Sequence, residues 1–412
     1  MALFPFSPKS LEFIRRDPKD DAFITILEGE VRSSKTWTMM VKLLTLIATG
    51  YETDGLRVIF GVTKQSIYDN VLIDLFSFLR STEYEWHKQS GELWLFGQEW
   101  RVIGAKDEGS EKFVRGKTVG VAYGDEATLV PASFMYMLTS RMSDEKARLY
   151  LTTNPDTPYH YLKVEFIDDL EKRAKRYVET IHFTMDDNLS LTPEVRKRYE
   201  EMYTGVFYLR FIKGLWVIAE GAIYRDSLGS QCEYDDSSRP EALLTSYIAR
   251  YIGVDYGTTN PCVFLEVYDD GKSLWQEREY YWDSAKQMRQ KTDEEYANDL
   301  VDFIGENKRG VVVVIDPSAA SFKIELHKRG IQTKDAKNDV LEGIRRHASA
   351  LKLGLYRIHT GHNPHTIKQN STYSWDTKAA LRGEEGPVKS EDHCPDAERY
   401  VTHTMLPKWR LG

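Results

Sequence analysis

Gly29-Glu30-Val31-Arg32-Ser33-Ser34-Lys35-Thr36 follows the apolar run Phe23–Leu27 (FITIL) and precedes a stretch where Met39, Leu43 and Ile47 recur at helical spacing. Strand, tight turn and amphipathic helix in that order predict a strand–loop–helix unit. The turn has the spacing G-x-x-x-x-G-K-[ST], with Ser34 in place of the second glycine. Such a loop points backbone N–H groups inward, and the helix N-terminus adds a dipole that favours an anion. In this reading Gly29, Arg32, Ser33 and Ser34 shape a phosphate cradle, Lys35 neutralises the β- and γ-phosphates, and Thr36 ligates Mg²⁺. Taken alone, the degenerate loop reads equally well as an ordinary turn.

Downstream motifs favour the phosphate loop. Val119–Gly124 is a short apolar strand that runs into the adjacent acids Asp125 and Glu126. Asp125 is placed to hold Mg²⁺, and Glu126 to polarise an attacking water. The next apolar run, Arg148–Thr153, ends in Thr152-Thr153-Asn154-Pro155, whose small hydroxyl and amide side chains, Asn154 among them, can sense the γ-phosphate or its water; a plain strand-ending turn is the alternative. Arg32 inside the loop and Arg141 beyond the acidic pair are the candidate arginines for transition-state charge. Arg141 also reads as a surface ion-pair residue.

Between these motifs lie RVIFGV from Arg57 and a helical segment around Ile67–Leu79. Alternating strands and helices favour a mainly parallel sheet covered by helices. A hairpin over Tyr84–Ile103, with turn residues at Ser90-Gly91, is expected to interrupt the alternation. At about 150 residues per domain, 412 residues suggest two or three domains. The polar, turn-prone run at Tyr234–Ala242 places a linker at residues 219–246, between domains at 1–218 and 247–412.

The second half carries a different chemistry. Asp255 ends an apolar run in Tyr251–Gly257, and Asp316 ends Val311–Ile315, which reads as a central buried strand. Asp396 follows Pro395 near the start of a helix, with His393 three residues earlier on the same turn. Hard oxygen donors suit Mg²⁺ or Mn²⁺, and phosphodiester hydrolysis uses two such ions. Asp255 is the candidate bridge between the ions, Asp316 and Asp396 each hold one, and His393 is a ligand or proton shuttle. Antiparallel strands followed by a buried strand and helices suggest an α/β domain of ribonuclease H type. His359, His362 and His365 recur every third residue, but Gly361 and Asn363-Pro364 mark a solvated loop rather than a zinc site.

The net charge of -8 argues against a generally basic nucleic-acid-coating surface but leaves room for a local basic groove. Arg345, Arg346, Lys368, Lys378 and Arg382 are candidate phosphate contacts, with solvated helix faces as the simpler reading. Three cysteines without CxxC spacing suit a reducing compartment. The N-terminus lacks signal-peptide character and no apolar run is long enough for a membrane span, so a cytosolic protein is expected.

EGEVRSSKTWT, AYGDEATLV, LTTNP, GVDYGTTNP, VVVIDPSAASF, KNDVLEGI and DHCPDAERY, spread from about residue 20 to 405, together resemble the large terminase subunits of tailed bacteriophages. The resemblance implies an N-terminal ASCE-type P-loop ATPase domain and a C-terminal RNase H-like nuclease domain. It implies ATP with Mg²⁺ in the first and two Mg²⁺ or Mn²⁺ ions in the second. It further implies translocation of double-stranded DNA into a procapsid and cutting of concatemers, in the cytoplasm of an infected bacterial host. The implied partners are the portal protein, a small terminase subunit and further copies in a ring, where Arg141 reaches a neighbour's nucleotide. A helicase with an accessory nuclease, a transposase, and a non-enzymatic assembly protein with decayed motifs are the rival readings.

Overall fold

The structure, a computed structural model, describes residues 5–411 except 242, 309 and 383, with the side chains of Glu108 and Lys408 left aside. The chain forms two compact units, one of residues up to 196 with 209–218, the other of 197–208 with 219–412. No helix among the described residues is long and apolar enough to cross a membrane.

Eight strands build the sheet of the first unit: β1 (Ile24–Gly29), β2 (Leu56–Gly61), β3 (Tyr84–His87), β4 (Glu92–Leu95), β5 (Gln98–Gly104), β6 (Val119–Gly124), β7 (Arg148–Thr153) and β8 (Val178–Phe183). Their order is β3-β4-β5-β2-β6-β7-β1-β8. From β5 to β8 every pairing is parallel. β1 and β6 are buried at every position, as expected of strands covered on both faces. β7 lies between β1 and β6, which is the extra-strand arrangement of an ASCE-type P-loop domain. The expected hairpin over Tyr84–Ile103 does not interrupt this sheet. It is a three-strand meander whose last strand, β5, pairs parallel with β2 through Val58↔Arg101 and extends the sheet edge.

The second unit has seven strands: β9 (Glu233–Tyr234), β10 (Ala249–Asp255), β11 (Cys262–Asp269), β12 (Leu274–Trp282), β13 (Val311–Ile315), β14 (Thr333–Asp335) and β15 (Tyr356–His359). β10, β11 and β12 form an antiparallel meander, and β13 returns parallel to β10 in the order β14-β13-β10-β11-β12-β15-β9. This is the RNase H-like arrangement. The stretch expected as a linker, 219–246, belongs to this unit: Tyr224, Cys232, Tyr234 and Leu243 are buried, and β9 adds to the sheet beside β15. Only its polar centre behaves as expected, with Asp235 folding into a turn that accepts from Ser237 and Ser238.

Two helices carry site residues. Helix α1 (Lys35–Ala48) springs from the loop after β1 and buries Met39, Met40, Leu43 and Leu46. Helix α2 (His393–Met405) is buried from Cys394 to His403 and lies against β10. Gly253 makes that approach possible. A Cβ there would stand 2.7 Å from both the Ala397 carbonyl oxygen and Val401 Cγ2. We predict that Gly253→Ala lowers the unfolding free energy by about 1–3 kcal/mol, because backbone must move to admit one methyl group. Denaturant titration of the full chain measures it, and an unchanged midpoint would show that the helix is not seated this closely.

Candidate functional sites in the two units

The loop between β1 and α1 carries three unusual backbone positions. Gly29 has φ +130, and a Cβ there would meet the Phe183 carbonyl oxygen at 2.0 Å. Arg32 and Ser34 adopt φ 55 and φ 68, in the left-handed region. That conformation costs a non-glycine residue roughly 1–2 kcal/mol. Tertiary bonds offset the cost: Ser34 Oγ donates to the Asp187 carbonyl at 3.1 Å, and Asn188 Nδ2 donates to the Arg32 carbonyl at 2.7 Å. Each is worth about 0.5–1.5 kcal/mol, enough to hold a loop where a second glycine is usual. Ser34 therefore fills the degenerate position in the conformation a glycine would adopt.

Lys35 is 7% exposed, and its ammonium donates to the carbonyls of Gly29 and Glu30, to Ser33 Oγ and to Asn154 Oδ1, at 2.5–3.2 Å. Burial lowers its pKa to about 8, against the opposing pull of Glu28, Asp125 and Glu30. Asp125 is also buried and accepts from Thr152 Oγ1 at 2.6 Å, Tyr123 Oη at 3.0 Å and Thr36 Oγ1 at 3.4 Å. Burial raises its pKa although these three hydroxyls oppose the rise. Glu126 follows in the left-handed region, at φ 52.

Arg32, Ser33, Ser34, Lys35, Thr36, Asp125 and Asn154 line one cavity of ≈ 570 Å³, and Glu126 lines it too. Gly29 shapes the loop from behind and is not a lining residue. Trp37, Asp69, Asn70, Asp74 and Asn188 are lining residues that sequence reasoning missed, while Thr152 and Thr153 of the TTNP turn line it too. Asp69 and Asn70 sit in a single π-turn, Tyr68–Leu72, a feature that recurs at functional sites. Tyr123 was legible in principle, because it stands two positions before Asp125 along the same strand direction. Arg141 does not line this cavity. Its carbonyl accepts from Val119 N at the start of β6, whereas Asp125 follows the end of that six-residue strand, about 20 Å away. Arg141 therefore stands away from this chain's own cavity.

In the second unit, the β10–β13 register pairs Val254 with Ile315, so Asp255 and Asp316 stand at neighbouring strand ends. Helix α2 brings in the third acid. His393 Nδ1 is 2.8 Å from Asp255 Oδ2, and Asp396 Oδ1 accepts from Arg399 Nη2 at 3.0 Å. Tyr400, one turn beyond Asp396, donates to Asp316 Oδ2 at 3.4 Å. Asp316 also accepts from Ser318 N at 2.7 Å and Asn338 Nδ2 at 3.1 Å. Burial raises the pKa of Asp255 despite the His393 bond. For Asp316 burial is outweighed, and the bonds from Ser318, Asn338 and Tyr400 hold it low. Burial would lower His393, but its bond to Asp255 prevails and raises it.

Asp255, His393 and Asp396 line a cavity of ≈ 590 Å³, together with Asp392, Lys286 and Lys389. Asp392, the N-cap residue of α2 and in the sequence only a weaker neighbour of the three acids, thus lines the site. Asp316 is beside the cavity rather than among its lining residues. Among the described residues, the set of three metal-capable side chains whose ligand atoms all lie within 4.8 Å of one another is Asp236, His359 and His362. Asp255, Asp316 and Asp396 are not drawn together that tightly. Their hard carboxylate oxygens nevertheless fit a divalent cation such as Mg²⁺ or Mn²⁺ in chemistry.

The histidine run is only in part the solvated loop expected. His362 and His365 are exposed, but His359 ends β15 and is 2% exposed. Its ring stacks on His362 at 3.9 Å and 5°. Gly361 N donates to His359 Nδ1 at 3.1 Å, opposite to the N–H a metal-bound imidazole presents to its surroundings. His365 instead stacks on Tyr281 and approaches Glu279 at 2.8 Å. Among the proposed phosphate contacts, Arg346 is buried and donates to the His403 and Leu406 carbonyls, so it is structural. Arg345 pairs with Glu342 and Lys368 with Glu391, while Lys378 and Arg382 are exposed.

Known proteins share this architecture. The family profile described as terminase large subunit, T4likevirus-type, N-terminal, matches residues 31–230. A comparison with curated proteins gives no match. The large terminase of a thermophilic bacteriophage is 37% identical, with a TM-score of 0.89 over 98% of this chain and 99% of that one. The same phage's terminase in complex with ADP and with ATP-γ-S is 36% identical in each case, with TM-scores of 0.87 and 0.86, over 98% of this chain and 100% of that one. With the likeness running through both units, the chain belongs to the large terminase subunits of bacteriophages.

Proposed function

We propose that the first unit hydrolyses ATP to translocate double-stranded DNA into a procapsid, and that the second unit cuts concatemeric DNA. The observation that carries this reading is the pairing of two different sites in one chain: Lys35, Thr36, Asp125 and Glu126 around one cavity, and Asp255, Asp392, Asp396 and His393 around another. The related phage terminase's complexes with ADP and ATP-γ-S support a nucleotide in the first. The portal protein, a small terminase subunit and a ring of further copies are the partners this activity calls for, in the cytoplasm of an infected host. In such a ring Arg141 faces a neighbour's nucleotide; within one chain it lies at the wrong end of β6.

In the first unit, Lys35 exchanges its four oxygen partners for phosphate oxygens, which frees Asn154 to follow the γ-phosphate. Thr36 and Asp125 orient Mg²⁺, Arg32 meets the developing charge, and Glu126 accepts a proton from the attacking water. Thr152 joins Asp125 directly, so a change at the phosphate end passes into β7. In the second unit, a pair of Mg²⁺ or Mn²⁺ ions, when bound, would supply an activated water and stabilisation of the leaving oxygen. Asp255, Asp316 and Asp396 are the oxygen donors that hold them. His393, oriented by Asp255, carries a proton between the site and solvent.

Glu126→Gln is expected to cut phosphate release by about 100-fold or more while leaving ATP binding and DNA cutting in place. Retained turnover would move the catalytic base elsewhere. Asp255→Asn is expected to abolish Mn²⁺-dependent plasmid cutting with ATP turnover intact, and full-rate cutting would remove the nuclease assignment. Because only the ammonium form of Lys35 grips phosphate, ADP affinity should fall as pH rises past about 8. The loss approaches about tenfold per pH unit and is absent in Lys35→Met. Calorimetry at stepped pH from neutral into the alkaline range measures it; a flat profile in the unaltered protein would contradict the role given to Lys35.

A further inference from the structure

Asp396 presents its two oxygens to two different cations. Oδ1 takes Arg399, which is buried with its side chain 2% exposed. Oδ2 faces Lys389 Nζ at 3.5 Å, and the same ammonium stands 3.3 Å from Asp392 Oδ2. Lys389 is therefore a bridge between two acids that line the ≈ 590 Å³ cavity. Its own side chain is 64% exposed. It stands on a chain segment where Ser390 and Glu391 are also exposed.

The two cations differ in what they can do. Arg399 is packed within α2 and cannot leave. Lys389 has a four-carbon stem, a rotatable ammonium and open solvent around it. A divalent cation that takes Asp396 Oδ2 competes for the oxygen that Lys389 occupies, and two positive charges cannot share it without strong repulsion. Lys286, the other lysine lining the cavity, has its own partner in Asp283 at 3.2 Å and does not bridge the two acids.

We infer that Lys389 is the counterion a divalent cation displaces from Asp396 and Asp392, and that the released ammonium then takes a phosphate of bound nucleic acid. The inference rests on the nuclease reading of this unit. It makes metal and nucleic acid bind with positive coupling: each favours the position of Lys389 that admits the other. The site is thereby kept closed to the metal by a charge that its substrate removes.

The test is Mn²⁺ binding to the nucleotide-free full chain, read as free Mn²⁺ by electron paramagnetic resonance. It is run with and without a short phosphorothioate duplex. Lys389→Gln should bind Mn²⁺ about threefold more tightly than the unaltered protein, the range open to an exposed ion pair. Relative to a duplex-only control, the duplex should tighten Mn²⁺ binding more in the unaltered protein and in Lys389→Arg than in Lys389→Gln, where only the direct contact of metal with phosphate remains. Equal Mn²⁺ affinity of Lys389→Gln and the unaltered protein, or a duplex effect as large in Lys389→Gln as in the unaltered protein, overturns the inference. Asp255→Asn separates the two levels. If it leaves Mn²⁺ binding unchanged, the nuclease reading has failed; if it removes that binding, the behaviour of Lys389→Gln judges the lysine alone.

Discussion

A charge taken out of water must be given a partner, and both sites are organised around that requirement. Lys35 is buried and has four oxygen partners; Asp125 is buried and has three hydroxyls. In the second unit Asp255 has His393, and Asp396 has Arg399 and Lys389. Most partners are elements of the fold: Thr152 and Asn154 come from the end of β7, and His393 and Arg399 from α2. The contacts that stabilise the charges are thus the same contacts that a ligand has to exchange. A ligand that offers oxygens to Lys35, or positive charge to Asp396, replaces an existing bond rather than meeting a bare ion.

Close backbone approach fixes where those charges stand. Gly29 lets β8 pass beside the phosphate loop, and Gly253 lets α2 lie on β10. Without the second approach Asp396 would not be carried to the side of Asp255, since it comes from a helix and not from the sheet. Asp255 and Asp316 need no such device, because parallel pairing of β10 and β13 already sets them side by side. The two units reach the same result by different means. One uses a strained loop between strand and helix; the other uses strand register together with a helix docked over a glycine.

Much of this was legible in the sequence because the strands are short, apolar and buried. Val119–Gly124 and Arg148–Thr153 are strands with the bounds their residues suggest, and Asp125 and Glu126 follow the first of them as expected. What the sequence hid was tertiary. Residues 219–246 look polar and loose, yet a few aromatic and apolar side chains among them are buried and β9 joins the sheet. The region Tyr84–Ile103 has hairpin periodicity, but periodicity does not say that its last strand will pair parallel with β2. Nor does the sequence say that the helix after the acidic pair returns Arg141 to the opposite end of β6. Lys389 gave no signal, because its meaning arises only when its ammonium meets Asp392 and Asp396 at the start of α2.

The account stands on aspartates from two strands and a helix acting together on divalent ions. Anomalous diffraction from crystals soaked in Mn²⁺ examines that most directly. The account predicts two peaks about 4 Å apart, bounded by Asp255, Asp316 and Asp396, with Lys389 moved away from Asp396. Peaks confined to Asp236, His359 and His362, with the three aspartates unchanged, would contradict it.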